Sequence, residues 1–239
     1  MKLPLICGQC MKDDLAYTAP IASVEFRDDG KYEVTCPKGH KSITLLQQQK
    51  FELLFDIGAY AVTDGYYREA VSSFTSSLER FYEFFVKAVL LEKKISQDAF
   101  TSAWKHVSNQ SERQLGAFIF LYTSEFGHPP ILLSNCKTKF RNEVIHKGKI
   151  PARSEAIRYG QAVLDILRPI LRETKQKYPN GVSSTIYQHM QNSYGNTPLD
   201  TTVSTLDVPT IINLYTSTDY CEELSLEKAI SELPKVKHT

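Results

Sequence analysis

Two sets of residues in this 239-residue chain have the types and spacing to do chemistry. The first is Arg141, Asn142 and His146, inside the stretch from Phe140 to Pro151. An arginine can fork onto two phosphate oxygens. A histidine can give or take a proton near neutral pH, and an asparagine can orient either one. Lys137, Lys139, Lys147, Lys149 and Arg153 surround them, with Glu143 the one acid between Ser134 and Arg153. The whole chain carries a formal charge of only +1, so this is a local patch and not a general bias. No pair of acidic metal ligands accompanies it, and the chemistry that suits it is the cutting of a phosphate ester. The second set is Cys7, Cys10, Cys36 and His40: three thiols and an imidazole, with the spacing of a metal site.

The element that must present the first set reads as the end of a helix. Leu133, Cys136, Phe140 and Val144 recur at helical spacing and predict one apolar stripe. Gly148 is placed to end the helix and Pro151 stops any continuation. At about 100° per residue, Asn142 and His146 fall almost opposite that stripe, with Arg141 and Ile145 between the faces. His146 is therefore expected to meet solvent, a ligand or a second subunit.

An arginine followed by asparagine, then a histidine five positions after the arginine, resembles the motif of HEPN domains. These are α-helical, and many are metal-independent ribonucleases. The resemblance implies a mainly α fold with a HEPN-like antiparallel bundle. It also implies an endonuclease that cuts single-stranded RNA: the ribose 2′-OH attacks its own phosphate and leaves a 2′,3′-cyclic phosphate. Arg141, Asn142 and His146 would be catalytic, and Lys137, Lys139, Lys147 and Lys149 would hold RNA. The long helix before such a motif often carries a glutamate facing the site, and Glu79 and Glu83 both qualify by position. The resemblance further implies a homodimer with the site across its interface, and a toxin or antiviral role. Two alternatives stay open: a HEPN-like module that binds RNA or a nucleotide without cutting it, and a zinc-ribbon interaction protein whose helices only dimerise.

The cysteine set frames residues 1–42 as a small module. Cys7-Gly8-Gln9-Cys10 and Cys36-Pro37-Lys38-Gly39-His40 form two knuckles. Between them Val24, Phe26, Tyr32 and Val34 alternate with charged residues around Asp28-Asp29-Gly30, which predicts a hairpin. Knuckle, hairpin and knuckle resemble a zinc ribbon, with structural Zn2+ stapling a segment too short to bury a sufficient core.

Residues 43–178 read as helical: Thr44 to Thr63, Tyr66 to Lys94, a third helix capped by Ser96, then Glu112 to Glu125, the motif helix, and Ser154 to Lys177, where Pro169 should introduce a kink. The remaining 179–239 form a polar, acidic extension, read as a strand near Pro209 to Tyr215 and a helix from Ser225 to Leu233. It is expected to wrap the helical part or to meet a regulatory protein partner. Five cysteines and a start without an apolar leader fit a reducing, cytoplasmic setting, and no stretch is apolar enough to span a membrane. No glycine-rich phosphate loop, nucleophile elbow or HExxH is present.

Overall fold

The structure, a computed structural model, describes residues 3–14, 20–195, 197, 201–215 and 224–233. In chain order the elements are β1 (Leu3–Leu5), α1 (Gly8–Asp13), β2 (Ala22–Val24), β3 (Lys31–Thr35), β4 (Lys41–Leu46), α2 (Lys50–Thr63), α3 (Tyr67–Glu92), α4 (Gln97–Trp104), α5 (Ser111–Phe126), α6 (Asn135–Lys147), α7 (Arg153–Lys177), α8 (Pro179–Tyr194), β5 (Thr202–Leu206) and α9 (Leu226–Glu232). The fold is mainly helical, as expected. It divides into two compact units. One takes residues through Gln49 together with Ile186–Pro209, and the other takes Lys50–Thr185 and Thr210–Leu233.

The smaller unit holds two sheets. Antiparallel β1 and β2 form one, and the other has the order β3-β4-β5. The expected hairpin about Asp28-Asp29-Gly30 does not form. β2 pairs with β1, Leu3 opposite Val24, while β3 pairs with β4, Tyr32 opposite Thr44. The tight connection is the second knuckle itself: Cys36 and His40 are joined by a backbone bond of 3.0 Å, with Gly39 at φ 84° making the turn. Residues 41–46 are a strand where a helix from Thr44 was expected, because Ile43, Leu45 and Leu46 are buried in the sheet. β5 adds in parallel to β4, Thr44 facing Ser204, so the unit reaches well beyond residue 42 and recruits part of the extension.

The larger unit is a bundle of aromatic-rich helices. The antiparallel packing expected of α2 and α3 rests on Phe51, Phe55, Phe74, Phe81 and Phe85, all buried. Phe51 and Phe81 meet at 5.3 Å and Phe55 and Phe74 at 4.9 Å between ring centroids. Phe74 lies between two glycines. A Cβ on Gly58 would come within 2.7 Å of its ring, and one on Gly160 of α7 within 2.6 Å. α7 runs without interruption through Pro169 and contributes Tyr159, Val163, Leu164 and Leu167 to the core. Among the described residues no helix is long and apolar enough to cross a membrane.

The extension is more structured than its composition suggests. α8 begins at Pro179, where the helical part was expected to end. Glu92 accepts from the Gly181 N–H at 2.6 Å and from Asn180 Nδ2 at 2.9 Å at that helix start. The Pro209–Tyr215 stretch is irregular and not a strand. Its Ile211 and Leu214 N–H groups donate to two buried carboxylates of α2, Asp56 at 3.0 Å and Glu52 at 2.8 Å. α9 lies where a helix was expected, with Ser225 as its N-cap.

Burial pushes the Asp56 carboxyl up from 3.8 to about 7, and the Ile211 N–H only partly offsets this. A carboxyl raised on folding holds its proton more tightly in the folded chain. Its contribution is therefore complete below about pH 4 and lost as pH rises through about 7. Asp56→Asn keeps the acceptor for Ile211 and cannot ionise. Thermal melts should show the smallest difference between wild type and variant below about pH 4, a growing advantage for the variant from there to pH 7, and the variant several degrees more stable at pH 8. A gap that does not change with pH would refute this.

Candidate functional site

Cys7, Cys10, Cys36 and His40 converge in the smaller unit, their ligand atoms all within 4.8 Å of one another. Cys7 caps α1, and its sulfur accepts from the Cys10 N–H at 3.4 Å. The β3–β4 turn brings up the other two. Cys10 Sγ lies 3.9 Å from Cys36 Sγ and 3.5 Å from His40 Nδ1, which is 3.9 Å from Cys7 Sγ. The three thiols are buried, with Ile21 packed against them. Burial, then hydrogen bonds with Cys7 and Cys36, push the Cys10 thiol up to about 11. A cation reverses that balance, since it stabilises thiolate directly. The cluster could hold a metal ion.

α6 ends where its sequence predicts, and its start is capped as well. The Ser134 side chain accepts from the Lys137 N–H, and Gly148 ends the helix in the left-handed region at φ 72°. The rotation of the helix differs from expectation. Val144 is buried at 0%, but Cys136 is exposed and Leu133 and Phe140 are only half-buried. The inward face runs through Thr138, Arg141 and Val144, one position round from the predicted stripe. The physical reason is that Leu133 precedes the helix and Cys136 sits exposed in its first turn, which leaves only Phe140 and Val144 of the stripe to hold it. Phe140 meets α7 obliquely, its ring 5.8 Å from that of Tyr159.

Arg141 therefore enters a cavity shared with Glu79, Tyr82 and Tyr159. It acts electrostatically on all three, and its own Nε is buried without a hydrogen-bond partner. Burial raises the Glu79 carboxyl above its ordinary value while Arg141 draws it back down. Asn142 is half-buried, and His146 and Lys147 are exposed at the helix end. Within one chain Arg141 and Glu79 come together, and His146 is not among the residues lining their cavity.

Glu83 has another task. It pairs with Arg80, whose second nitrogen donates to Gln114 at 2.7 Å. Of the basic residues, Lys149 pairs with Glu155 at 3.0 Å and Glu143 at 3.7 Å and stands 4.8 Å above the Phe140 ring. Lys137 donates to the Arg158 carbonyl at 2.8 Å. Lys137, Lys139 and Lys149 line an open depression of about 360 Å³ with Cys136, Phe140 and Arg158. Sequence reasoning missed the hydroxyl pair at the cavity floor, Thr75 and Tyr159, 2.8 Å apart. A threonine inside the phenylalanine stripe of α3 was the available signal.

No family model matches the chain, and no curated protein or solved structure matches it either.

The cysteine cluster makes its own prediction. Elemental analysis of freshly purified protein should find one bound transition-metal ion per chain, and Cys36→Ser should remove most of it. Because a bound ion supplies folding energy to so small a unit, the variant should become protease-sensitive before residue 50 while the helical circular dichroism largely persists. Metal-free wild type with the same protease resistance would refute this.

Proposed function

We propose that the chain is a HEPN-type, metal-independent endoribonuclease with a structural zinc in its smaller unit. The observation that carries the catalytic half is the end of α6, where His146 is exposed beside Lys147 and Asn142, five residues on from an arginine with an unsatisfied N–H. His146 would move the proton, either from the attacking 2′-OH or to the departing 5′-oxygen. Arg141 would stabilise charge on the phosphate. Asn142 would orient one of them, and Lys139 and Lys147 would draw in the strand.

One chain offers a single exposed histidine at this helix end, and a two-fold axis through the end of α6 would set His146 of the partner subunit against it. Ile150, 84% exposed four residues after His146, suits a surface that a second copy covers. The role is that of a toxin or antiviral effector acting on RNA.

Zinc is the ion that best suits the cluster. A tetrahedral site with Zn–S of 2.3 Å and Zn–N of 2.0–2.1 Å needs ligand atoms about 3.8 Å apart for two sulfurs and about 3.6 Å for sulfur and nitrogen. The separations are 3.9 Å for Cys10 and Cys36 and 3.5 Å for Cys10 and His40, close to those values, while Cys7 and His40 at 3.9 Å stand a few tenths of an ångström wider. Four protein ligands close the coordination sphere, which fits a structural role and not a catalytic one.

The inward turn of Arg141 favours a second reading, a module that holds a nucleotide without cutting it. Purified protein incubated with single-stranded RNA separates the two. Cleavage should yield 2′,3′-cyclic phosphate ends, survive brief EDTA treatment, and fall at least about 100-fold in His146→Ala, the usual loss when a positioned proton-transfer group is removed. RNA binding without cleavage would select the second reading, and a His146→Ala variant as active as wild type would defeat the first. Light scattering at micromolar concentration should give the mass of a dimer.

A further inference from the structure

The cavity that holds Glu79 and Arg141 has a volume of about 140 Å³. That is close to the ~150 Å³ of an apolar cavity known to take up one benzene ring. Leu78, Leu115 and Leu133 give it apolar walls. Its two tyrosines are held rigidly. Tyr82 stacks on Phe118 with centroids 4.4 Å apart and planes at 25°. The Thr75 hydroxyl donates to the Val71 carbonyl at 2.8 Å, so in the Thr75–Tyr159 pair the tyrosine is the donor. What Tyr159 has left to offer is acceptor capacity.

Ser111, Thr138 and the exposed Glu112 also line this space, and two of its less exposed polar groups are not satisfied by the protein. The Arg141 Nε–H is buried and unpartnered. Glu79 is desolvated, and among the described residues no hydrogen bond or ion pair joins it to Arg141. A buried donor left without a partner calls for a specific explanation. A plain apolar ring would leave both groups unsatisfied, a bare anion would meet Glu79, and a bare cation would meet Arg141. The complement of an acceptor and a donor facing one ring-sized space is a planar ring whose edge carries a donor beside an acceptor.

Pyrimidine bases have that edge. Cytosine offers its N4 amine next to N3 and O2, and uracil offers N3–H between two carbonyls. Carboxylate to the cytosine amine is a known pairing. We infer that this cavity is a pyrimidine-base pocket, with Glu79 accepting from the ring's N–H edge, Arg141 donating to its neighbouring acceptor, and the leucines covering its faces. Its use rests on the proposed ribonuclease reading: the base would belong to a nucleotide of the bound strand. The guanidinium has five N–H donors, so one spent on the base leaves others for a phosphate. Purines carry similar edges but need a second ring's volume.

Calorimetric titration of the intact chain with free nucleosides tests this. Cytidine and uridine should bind, and adenosine and guanosine at least tenfold more weakly. Leu78→Phe, which fills the cavity, should abolish binding, with a thermal melt reporting on the fold. Glu79→Gln keeps the shape and should weaken pyrimidine binding about tenfold, so the test survives if the larger side chain unfolds the protein. Purine nucleosides binding as tightly as pyrimidines, or no nucleoside binding at millimolar concentration, would overturn the inference, the second because water alone then fills the cavity. RNA cleavage without nucleoside binding would defeat the pocket and leave the ribonuclease reading standing. Pyrimidine binding by a protein that cuts no RNA would do the reverse.

Discussion

The closeness of α2, α3 and α7 around the Phe74 ring is the constraint on which the larger unit depends. That closeness exists only because Gly58 and Gly160 present no side chain to it. The next residue of α3, Thr75, then falls within hydrogen-bond reach of Tyr159, one residue before Gly160. The same approach lets α9 lie on α7, since a Cβ on Gly160 would also meet Leu226 at 2.5 Å. Core helices packed this tightly cannot slide without losing many small contacts at once. The Thr75–Tyr159 pair that lines the Arg141 cavity is thereby fixed by a packing event one residue away on each helix.

Much of this was legible in the sequence, and what was not has identifiable causes. The long helices were readable because their aromatic and aliphatic residues recur at helical spacing over many turns. The metal cluster was readable because thiols two residues apart, with a glycine, have few other uses. The strand pairing was not readable, because Val24, Phe26, Tyr32 and Val34 alternate equally well for any antiparallel partner. Only the register with β1 and β4 decides among them. β4 and β5 could not be matched at all, since parallel partners distant in sequence leave no local turn signal. The rotation of α6 was misjudged by one position because its apolar residues are sparse, and a cysteine counted as apolar sits in solvent.

That rotation changes the character of the motif. With Arg141 turned in and His146 turned out, the two residues address different spaces from one helix. The bundle already places carboxylates in its interior, each handled differently. Glu52 and Asp56 receive backbone N–H groups from the 210–214 segment, whereas Glu79 faces a cation across a gap. A charge that is desolvated and only partly compensated is costly for folding alone, and such groups gather at functional sites.

The pairing of β4 with β5 also sets an order of events during synthesis. Thr44 and Ser204 are 160 residues apart in the chain. At about 5–20 residues per second, β4 emerges roughly 10–30 s before the strand that completes its sheet. Cys7, Cys10, Cys36 and His40 precede that interval, so the four ligands can gather while one side of β4 still presents free backbone groups. The bundle from α2 to α7 is translated in between. For the nascent chain the hazard is an open sheet edge looking for any strand, and early metal capture, by fixing the β3–β4 turn, would hold that edge in register until its own partner arrives.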